Sequence, residues 1–473
     1  MLFFTRRQFL RAAAAASAGT VLGRAARAMS RRTGDRPPNF LFIFIDDMGW
    51  ADVGYNGNRF VETPNIDKLA AKGVVFTSAY SNGPNCAPSR ACLMSGQYTP
   101  RHGIYTVGSS ARGKSRDRKL IPVANETVLA AGKITVAEAL ESAGYVCGHF
   151  GKWHLGNKNG PGSQGFDDVL VTNRPSRSST RDAHHVRQIT DRAINFMQTH
   201  RDSPFFCYVS HNTIHTPLKE DPSLVAKYRA KAGSKPAPND CTQAAMIETL
   251  DKNVGRLLRA VDELGIADRT VVFFFSDNGG VFGFSNMGPL RGGKGMLYEG
   301  GIRVPLTVHW PGVTRPGTQC DEPVMGIDFY PTMLDMAGVS PPAGYILDGL
   351  SMVPLLRGAS KLDRKAIFWH FPAYLEGNYG WKKTWRTTPA GAVRARRWKL
   401  IEFFEDGRLE LYDLENDPGE IRNLARQLPA KTKELHQMLR DWRRALNAPI
   451  PSKHNPEYKP REKNSKGEKS GQT

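Results

Sequence analysis

The sequence lacks the features of three classes of protein. No apolar run reaches the roughly 20 residues that span a bilayer, so we expect no stable membrane anchor. The six cysteines of this 473-residue chain show no Cys-x-x-Cys spacing, so neither a zinc site nor a dense disulfide scaffold is expected. No nucleic-acid-binding module is recognisable, and the basic residues do not form one stripe, so no nucleic-acid partner is expected.

Length and charge set broader limits. A chain of 473 residues predicts more than one structural unit, with a large domain of about 300 residues and a smaller one. The formal net charge of +20 falls to about +15 without the five arginines of residues 1–28. A basic surface attracts anionic partners but does not choose among them.

Residues 1–28 are interpreted as a targeting segment. The run Thr-Arg-Arg-Gln-Phe-Leu at 5–10 resembles the twin-arginine export signal of bacteria. A weakly hydrophobic, alanine-rich stretch follows at 12–22, and Ala-Arg-Ala at 26–28 resembles a cleavage site. The alternative is a basic helix of the mature protein. The export signal predicts contact with the twin-arginine machinery and a periplasmic or secreted location.

Polar residues follow four apolar runs that read as buried strands of a parallel sheet. The runs are 39–45, 145–150, 204–210 and 270–276. The residues with chemistry that follow them are Asp46, Asp47, Lys152, His154, His211, His215, Asp277 and Asn278. Ligands of open α/β sheets bind at the carboxyl ends of the strands. The recurrence therefore predicts an α/β fold with one site at one edge of a mostly parallel sheet.

The remaining elements are predicted from periodicity and composition. Helices are expected at 135–143 and 241–264, where apolar residues recur with a period near 3.6. Beyond residue 360 the pattern changes to short strands at 366–370, 391–404 and 409–414, followed by a helical stretch at 420–447. We interpret 361–450 as a smaller α+β domain with an antiparallel sheet, and the lysine-rich residues 452–473 as a disordered tail.

Cys86 begins the most informative stretch of the chain. Pro88 suits the first turn of a helix, which places Cys86 at the helix N-terminus, where backbone amides attract an anion. Arg90 adds a cation that binds oxyanions in a fork. For an isolated cysteine, a structural role before an ordinary helix would be the default interpretation.

The run 86–96 resembles the signature Cys-x-Pro-Ser-Arg-x-x-Leu-x-x-Gly of the type I, formylglycine-dependent sulfatases. Residues 289–305, with Lys294, resemble a second motif of that family, and the resemblance extends over about 38–450. The family belongs to the alkaline phosphatase superfamily. The resemblance implies a large, mostly parallel sheet sandwiched by helices, with residues 38–360 as the catalytic domain.

The resemblance also implies a mechanism. A formylglycine-generating enzyme would oxidise Cys86 to formylglycine, one of whose hydrated hydroxyls attacks sulfur and forms a transient covalent sulfate ester. His215, with Lys294, would protonate the leaving oxygen, and His154 would take a proton from the second hydroxyl, which expels sulfate. Histidine suits both transfers because its pKa lies near neutral pH. The implied catalytic residues are Cys86, Arg90, Lys152, His154, His215 and Lys294.

A metal site is predicted from the acidic strand ends. Asp46, Asp47, Asp277 and Asn278 offer only oxygen ligands, which favour calcium or magnesium over zinc or copper. The resemblance selects one calcium ion per chain, with the formylglycine from Cys86 completing the ligand set. Taken separately, Asp277-Asn278 is also typical of a turn, and Asp46-Asp47 of a helix cap.

The substrate is the least constrained prediction. Motifs at 292–305 and 412–418 look most like those of bacterial carbohydrate sulfatases, which implies a sulfated saccharide. Trp381 and Trp385 are candidates to stack on a sugar ring, and 172–185 to contact an anionic sugar, although ordinary surface loops explain both equally well. Alternatives are a generic arylsulfatase, a formylglycine-dependent phosphonate or phosphate monoester hydrolase, and a non-catalytic glycan-binding protein.

Overall fold

The structure is a computed structural model that describes residues 36–173, 176, 182–377 and 385–460. The strands β1 to β16 are, in chain order, Asn39–Ile45, Val74–Phe76, Ala79–Tyr80, Val146–Gly151, Asp168–Val171, Phe205–Ser210, Thr270–Ser276, Leu306–His309, Thr318–Cys320, Val324–Met325, Ile367–Phe371, Leu375–Glu376, Trp385–Thr387, Ala390–Ala395, Trp398–Phe403 and Arg408–Asp413. The helices α1 to α11 are Pro64–Lys72, Cys86–Ser95, Thr99–His102, Val136–Glu141, Val186–Thr199, Pro222–Ala232, Cys241–Glu263, Glu299–Ile302, Phe329–Ala337, Val353–Leu356 and Pro429–Ala445.

Eight strands form the large sheet, in the order β5-β4-β6-β1-β7-β8-β2-β9. The four apolar runs predicted as strands become β4, β6, β1 and β7, which are neighbours and run parallel. The strand β8 runs antiparallel to both β7 and β2, so the sheet is mixed but mostly parallel. This confirms the predicted fold class.

Both faces of β1 are buried, which explains its continuous apolar sequence. Phe40, Phe42 and Phe44 point into one core cluster, while Leu41 and Ile43 point into another. Side chains of α2, α4, α9 and α10 fill the first cluster, and those of α1, α5, α6 and α7 fill the second. Because helices cover both faces of this sheet, a ligand can reach it at the ends of the strands.

The second sheet is antiparallel, in the order β11-β14-β15-β16. Leu400 on one of its faces packs against Leu435 and Leu439 of α11. Ile401 on the other face packs in a cluster with Tyr298, which follows the glycine-rich loop of the large unit. The small sheet is therefore held between α11 and the part of the chain that contains Lys294. A domain boundary near residue 360 stays a prediction.

Three predicted elements differ from the structure in extent. The single strand predicted at 391–404 is the hairpin β14–β15, which turns at Arg396 with a left-handed φ of 54°. The helix predicted at 420–447 begins only at Pro429, because the preceding segment forms turns instead. The helix predicted at 135–143 spans Val136–Glu141, and Thr135 caps it through a reciprocal bond with Glu138.

The C-terminal segment is ordered further than predicted. Asn455 is buried, and its side-chain amide donates to the carbonyls of Ser115 and Arg118, both at 2.8 Å. Residues 452–460 therefore lie against the large unit, contrary to the predicted disorder, whereas 461–473 and the predicted leader 1–28 lie outside the described residues. Within the described residues, no helix combines the length and apolarity needed to cross a membrane.

Candidate active site

The carboxyl ends of β1 and β7 bring four predicted ligand residues together. Asp46 and Asp47 follow β1, and Asp277 and Asn278 follow the parallel neighbour β7. The backbone amide of Asp47 donates to Asp277 Oδ1 at 3.1 Å, and Asn278 Nδ2 donates to Asp47 Oδ1 at 2.9 Å. All four side chains are at most 1% exposed, which is costly for carboxylates without compensating positive charge.

Cys86 is the first residue of α2, as its sequence predicts, and it faces these carboxylates. Its Sγ lies 3.3 Å from Asp46 Oδ1 and 3.8 Å from Asp47 Oδ1. The helix ends at Ser95 and is capped by Gly96, whose φ of 65° lies in the left-handed region that favours glycine. The motif thus forms one short helix with its thiol buried against the strand ends.

Arg90 lies one helical turn after Cys86 and is 1% exposed. Its Nε and Nη2 both donate to Asp277 Oδ2, at 2.9 and 2.7 Å. Its Nη1 donates to Ser210 Oγ at 2.6 Å and to the carbonyl oxygen of Lys152 at 3.0 Å. Ser210, the last residue of β6, was missed by the sequence reasoning, because a serine ending an apolar run carries no spacing signal.

Two lysines from different parts of the chain, one directly after β4 and one in the glycine-rich loop, lie close to the carboxylates. Lys152 Nζ lies 2.5 Å from Asp46 Oδ2. Lys294 Nζ lies 2.6 Å from Asp47 Oδ1 and 3.3 Å from Cys86 Sγ. With Arg90, the cations and carboxylates interleave around the thiol, a group we name the site cluster. Its members are Asp46, Asp47, Cys86, Arg90, Lys152, Asp277 and Lys294.

The predicted histidines occupy different environments. His215 Nε2 lies 3.8 Å from Asp47 Oδ2, and its side chain is 35% exposed, so it sits where the site opens to solvent. Burial and the nearby Lys152 lower the pKa of His154 to about 3, so this imidazole is neutral, and the same shift makes it a weaker base than an ordinary histidine. His149 packs among aromatic rings inside β4, which is typical of a structural histidine. His211, which is not among the implied catalytic residues, is also fully buried.

Burial and neighbouring charges act in opposite directions on the carboxylates. Burial raises the pKa of Asp46, but Lys152, Arg90 and Lys294 outweigh it and hold that pKa well below its ordinary value. For Asp277, burial and the charge of Asp46 raise the pKa to about 7 despite Arg90. Burial and Asp46 also raise the pKa of the Cys86 thiol. The site therefore concentrates charge in a region shielded from water.

The donor atoms fit a hard cation. One carboxylate oxygen each from Asp46, Asp47 and Asp277, together with Cys86 Sγ, all lie within 4.8 Å of one another. The Oδ1 of Asn278 is buried and has no hydrogen-bond partner among the described residues. Three clustered carboxylates and an unpartnered amide oxygen on a residue that hydrogen-bonds one of them form a donor set that suits calcium or magnesium.

Neither of the two predicted sugar-stacking tryptophans is seen as an exposed ring. Trp385 is only 9% exposed, and its ring packs against Tyr374 with centroids 4.9 Å apart, which does not favour a stacking platform. Trp381 lies outside the described residues. Phe282 is 40% exposed and lies beside Gly293, next to the catalytic lysine candidate. The sequence reasoning missed Phe282, because a lone aromatic in a loop reveals its exposure only after folding.

Comparisons with known proteins identify the family. Residues 38–339 match the family model described as Sulfatase. Residues 293–445 match the model described as N-sulphoglucosamine sulphohydrolase, C-terminal. The chain belongs to the sulfatase family, which confirms the resemblance seen in the sequence.

Individual relatives agree over most of the chain. A sulfatase of Formosa agariphila is 32% identical, covering 90% of this chain and 92% of its own length. The N-acetylgalactosamine-6-sulfatase of Mus musculus is 31% identical, covering 78% and 74%. The solved structure of Ps i-CgsB in complex with k-i-k-neocarrahexaose superposes with a TM-score of 0.74 at 27% identity, covering 88% of this chain and 95% of that one. The protein is therefore a sulfuric ester hydrolase.

Proposed function

We propose that this protein releases sulfate from a sulfated saccharide, using a formylglycine made from Cys86 as the nucleophile. The observation that carries the proposal is the position of Cys86, at a helix N-terminus and within 4.8 Å of three carboxylates. The saccharide is supported by the names of two relatives, an N-acetylgalactosamine-6-sulfatase and a protein solved with a neocarrahexaose. The hydrated aldehyde would supply the attacking hydroxyl and pass through a covalent sulfate ester.

The cations of the site cluster would bind the sulfate group. Lys294 Nζ is 3.3 Å from Cys86 Sγ, and Lys152 Nζ reaches Asp46 beside the same thiol. Charge that develops on sulfuryl oxygens next to position 86 would therefore meet two ammonium groups that are already in place. Preorganised charges of this kind, inside a site that excludes water, are usually the largest contribution to catalysis.

Arg90 would act differently from the lysines. Its guanidinium is already committed to Asp277, Ser210 and the carbonyl of Lys152. It therefore connects the ends of β4, β6 and β7 and fixes the carboxylates against the helix that carries Cys86. Its permanent charge adds to the positive potential at the nucleophile.

The two histidines would move protons at opposite stages. His215 is the more exposed, where a leaving alcohol would depart, and so would give that oxygen a proton, with Lys294 assisting. The neutral imidazole of His154 would take the proton from the remaining hydroxyl of residue 86. Removing that proton expels sulfate and restores the aldehyde, so no external water has to hydrolyse the ester.

We also propose one calcium ion, held by Asp46, Asp47, Asp277, Asn278 and residue 86. The all-oxygen donor set and the unpartnered Asn278 Oδ1 support a hard cation. Bound there, the ion would supply positive charge for a sulfate oxygen and for the nucleophilic hydroxyl.

The test is a substrate panel with the modified enzyme. We expect sulfate release from an aryl sulfate and from at least one sulfated saccharide, with the matching aryl phosphate and phosphonate turned over far more slowly. Preferred turnover of the phosphonate would instead establish the alternative ester hydrolase. Binding of sulfated glycans without any turnover would indicate a glycan-binding protein that has kept the scaffold.

Export completes the proposal. The twin-arginine pattern at 5–10 supports passage of the folded enzyme to the periplasm or exterior, after the cytoplasmic formylglycine-generating enzyme has modified it. Fractionation of a producing cell, with an Arg6→Lys/Arg7→Lys variant as the comparison, would show cytoplasmic retention of the variant. An equal distribution of both would contradict the assignment.

A further inference from the structure

The small antiparallel sheet presents a row of polar side chains to the large unit. Arg394 on β14 pairs with Lys399 on β15, and Lys399 pairs with Tyr412 on β16. Cross-strand partners project from the same face of a sheet, so the three form a line, which we name the anchor row. All three are at least nine-tenths buried, which is unusual for charged residues outside a functional site.

The central member binds two buried carboxylates. Lys399 Nζ lies 2.9 Å from Glu299 Oε1 and 2.9 Å from Glu420 Oε1, and all three side chains are 0% exposed. The backbone amide of Glu299 also donates to Glu420 Oε2 at 2.7 Å. Glu299 is the first residue of α8, five positions after Lys294 in the same loop.

The outer members of the anchor row connect to Arg291 and, through Tyr80, to Glu299. Tyr412 accepts a hydrogen bond at 2.8 Å from Nη1 of Arg291, which also donates to the carbonyl of Glu420. Arg394 donates to the hydroxyl of Tyr80, which in turn donates to Glu299 Oε2 at 2.7 Å. The anchor row therefore holds Arg291 and Glu299, the two ends of the loop that contains Lys294.

Backbone contacts carry this attachment to the site cluster. Gly300 N donates to Arg291 O at 2.8 Å, which closes the loop, and Gly279 N, directly after Asn278, donates to Gly301 O at 3.0 Å. A Cβ on Gly301 would lie 2.1 Å from the carbonyl oxygen of Met296. The backbone at these two positions of the loop is therefore packed too closely to admit a side chain. Displacement of Glu299 would consequently move both Lys294 and the Asp277-Asn278 segment.

We infer that the anchor row positions the loop that carries Lys294, with Lys399 as its central positioning residue, so that the small sheet helps to set the geometry of the active site. The inference rests on the proposed function only for the role of Lys294. The positional effect itself is a property of the fold and is measurable without substrate.

The experiment compares Lys399→Met with a matched variant that breaks an ion pair on the opposite face of the same sheet. Glu402 of β15 faces the opposite side of the sheet, where Arg443 of α11 lies 2.6 Å from it in a largely buried ion pair. Arg443→Met therefore breaks an ion pair between this sheet and α11, away from the loop. Both variants are made in the full, formylglycine-bearing chain.

Two readouts are measured. In Lys399→Met, we expect kcat for an aryl sulfate to fall by about 10- to 100-fold, with KM changed by less than about two-fold. The reason is that a displaced Lys294 would stabilise the transition state less, while substrate binding would change little. Hydrogen exchange of the backbone amides in 291–302 should accelerate about ten-fold. Arg443→Met should lower the melting temperature but leave both quantities near the wild-type values.

A double variant separates positioning from stability. Lys399→Met leaves Glu299 and Glu420 facing one another without a cation, and adding Glu420→Gln removes the cost of ionising or protonating Glu420 there. We expect Lys399→Met/Glu420→Gln to regain melting temperature but not kcat, because the bond from Lys399 to Glu299 is still missing. Tyr412→Phe, which removes only a hydroxyl, serves as a milder probe in case Lys399→Met does not fold.

Each outcome decides the inference. Recovery of kcat together with stability in the double variant would overturn it, as would unchanged exchange in 291–302 in Lys399→Met or Tyr412→Phe. If the wild-type protein releases no sulfate, the proposed function fails, whereas faster exchange of the loop in the variants would still uphold the positional role of the anchor row.

Discussion

Two groups of buried charges lie within the described part of the molecule, and they are built differently. In the site cluster, three carboxylates and three cations surround a thiol, and the Oδ1 of the neighbouring Asn278 has no hydrogen-bond partner among the described residues. Around Lys399, by contrast, Glu299 and Glu420 share one ammonium, and the oxygens bind backbone and tyrosine groups. The first arrangement leaves donor capacity for a ligand, and the second uses its capacity to attach the small sheet to α8.

This difference implies different costs of mutation. Active sites store unfavourable arrangements that are useful only when a ligand binds, so changes there cost activity more than stability. Breaking a buried ion pair that joins structural elements leaves an uncompensated charge and costs stability directly. The following predictions test that contrast, beginning with the largest expected effect.

Cys86→Ala should reduce sulfate release by at least about 10⁴-fold, because no other group in the site cluster can supply the nucleophile. The melting temperature should change little. Steady-state kinetics with an aryl sulfate and a thermal melt provide both numbers. Cys92→Ala is the matched control, since Cys92 is a buried thiol of the same helix that contacts His102 rather than the carboxylates. Equal loss in both variants would contradict the assignment.

Lys152→Met should lower kcat by about 10²- to 10³-fold, the usual cost of removing one preorganised charge from a developing anion. The cause is the loss of an ammonium that lies 2.5 Å from Asp46, next to position 86. Lys227→Met, which removes a half-exposed lysine paired with Glu62 and Glu248, should leave kcat unchanged. A drop of less than about three-fold in Lys152→Met would remove this residue from the catalytic set.

Glu420 should make stability depend on pH. Burial and the neighbouring Glu299 raise its pKa from 4.5 to about 7, so the folded chain holds a proton that the unfolded chain releases. The free energy of unfolding should therefore fall as pH rises from about 4.5 to 7, by on the order of 3 kcal/mol from this group.

Denaturant unfolding across that pH range measures the effect as the difference between wild type and Glu420→Gln. The variant cannot titrate at this position, so its curve should be flatter by the same amount. Glu415→Gln changes an exposed carboxylate of the same region and should reproduce the wild-type slope. Parallel curves for wild type and Glu420→Gln would contradict this prediction, because they would show that folding does not raise the pKa of Glu420.

Metal binding should stabilise the site cluster. Saturating calcium, at 100 times its dissociation constant, should add about 2.7 kcal/mol to the free energy of unfolding, and chelation should remove it. Asn278→Ala should weaken the response to calcium, whereas Asn286→Ala, further along the same loop, should retain it. Thermal melts in calcium, magnesium and chelator provide the comparison. A melting temperature that does not change on addition of calcium, magnesium or chelator would contradict the metal site.

The sequence was most informative where it contained continuous apolar runs or contiguous motifs. Four apolar runs predicted β1, β4, β6 and β7, and the polar residues after them meet in the structure because the carboxyl ends of parallel strands share an edge. The positions of Cys86 and Lys294 were predicted from contiguous motifs. These features depend only on residues close together in the sequence, so they can be recognised without knowing the tertiary structure.

What could not be predicted depends on distant contacts. Lys399 reads as an ordinary lysine of an alternating strand, and only the packing of β15 against α8 buries it. Trp385 resembled an exposed platform, yet Tyr374 covers its ring. The turn at Arg396 was missed because the segment 391–404 contains no Asn-Gly or Asp-Gly pair to mark a tight hairpin.

The central claim is that residue 86 acts as a formylglycine. The most direct measurement is the mass of the peptide that spans residue 86, taken from enzyme that has been shown to release sulfate. The account predicts the mass of the aldehyde in place of the thiol, in a fraction of the molecules that rises in proportion to specific activity. Full activity in a preparation whose Cys86 is entirely an unmodified thiol would contradict it.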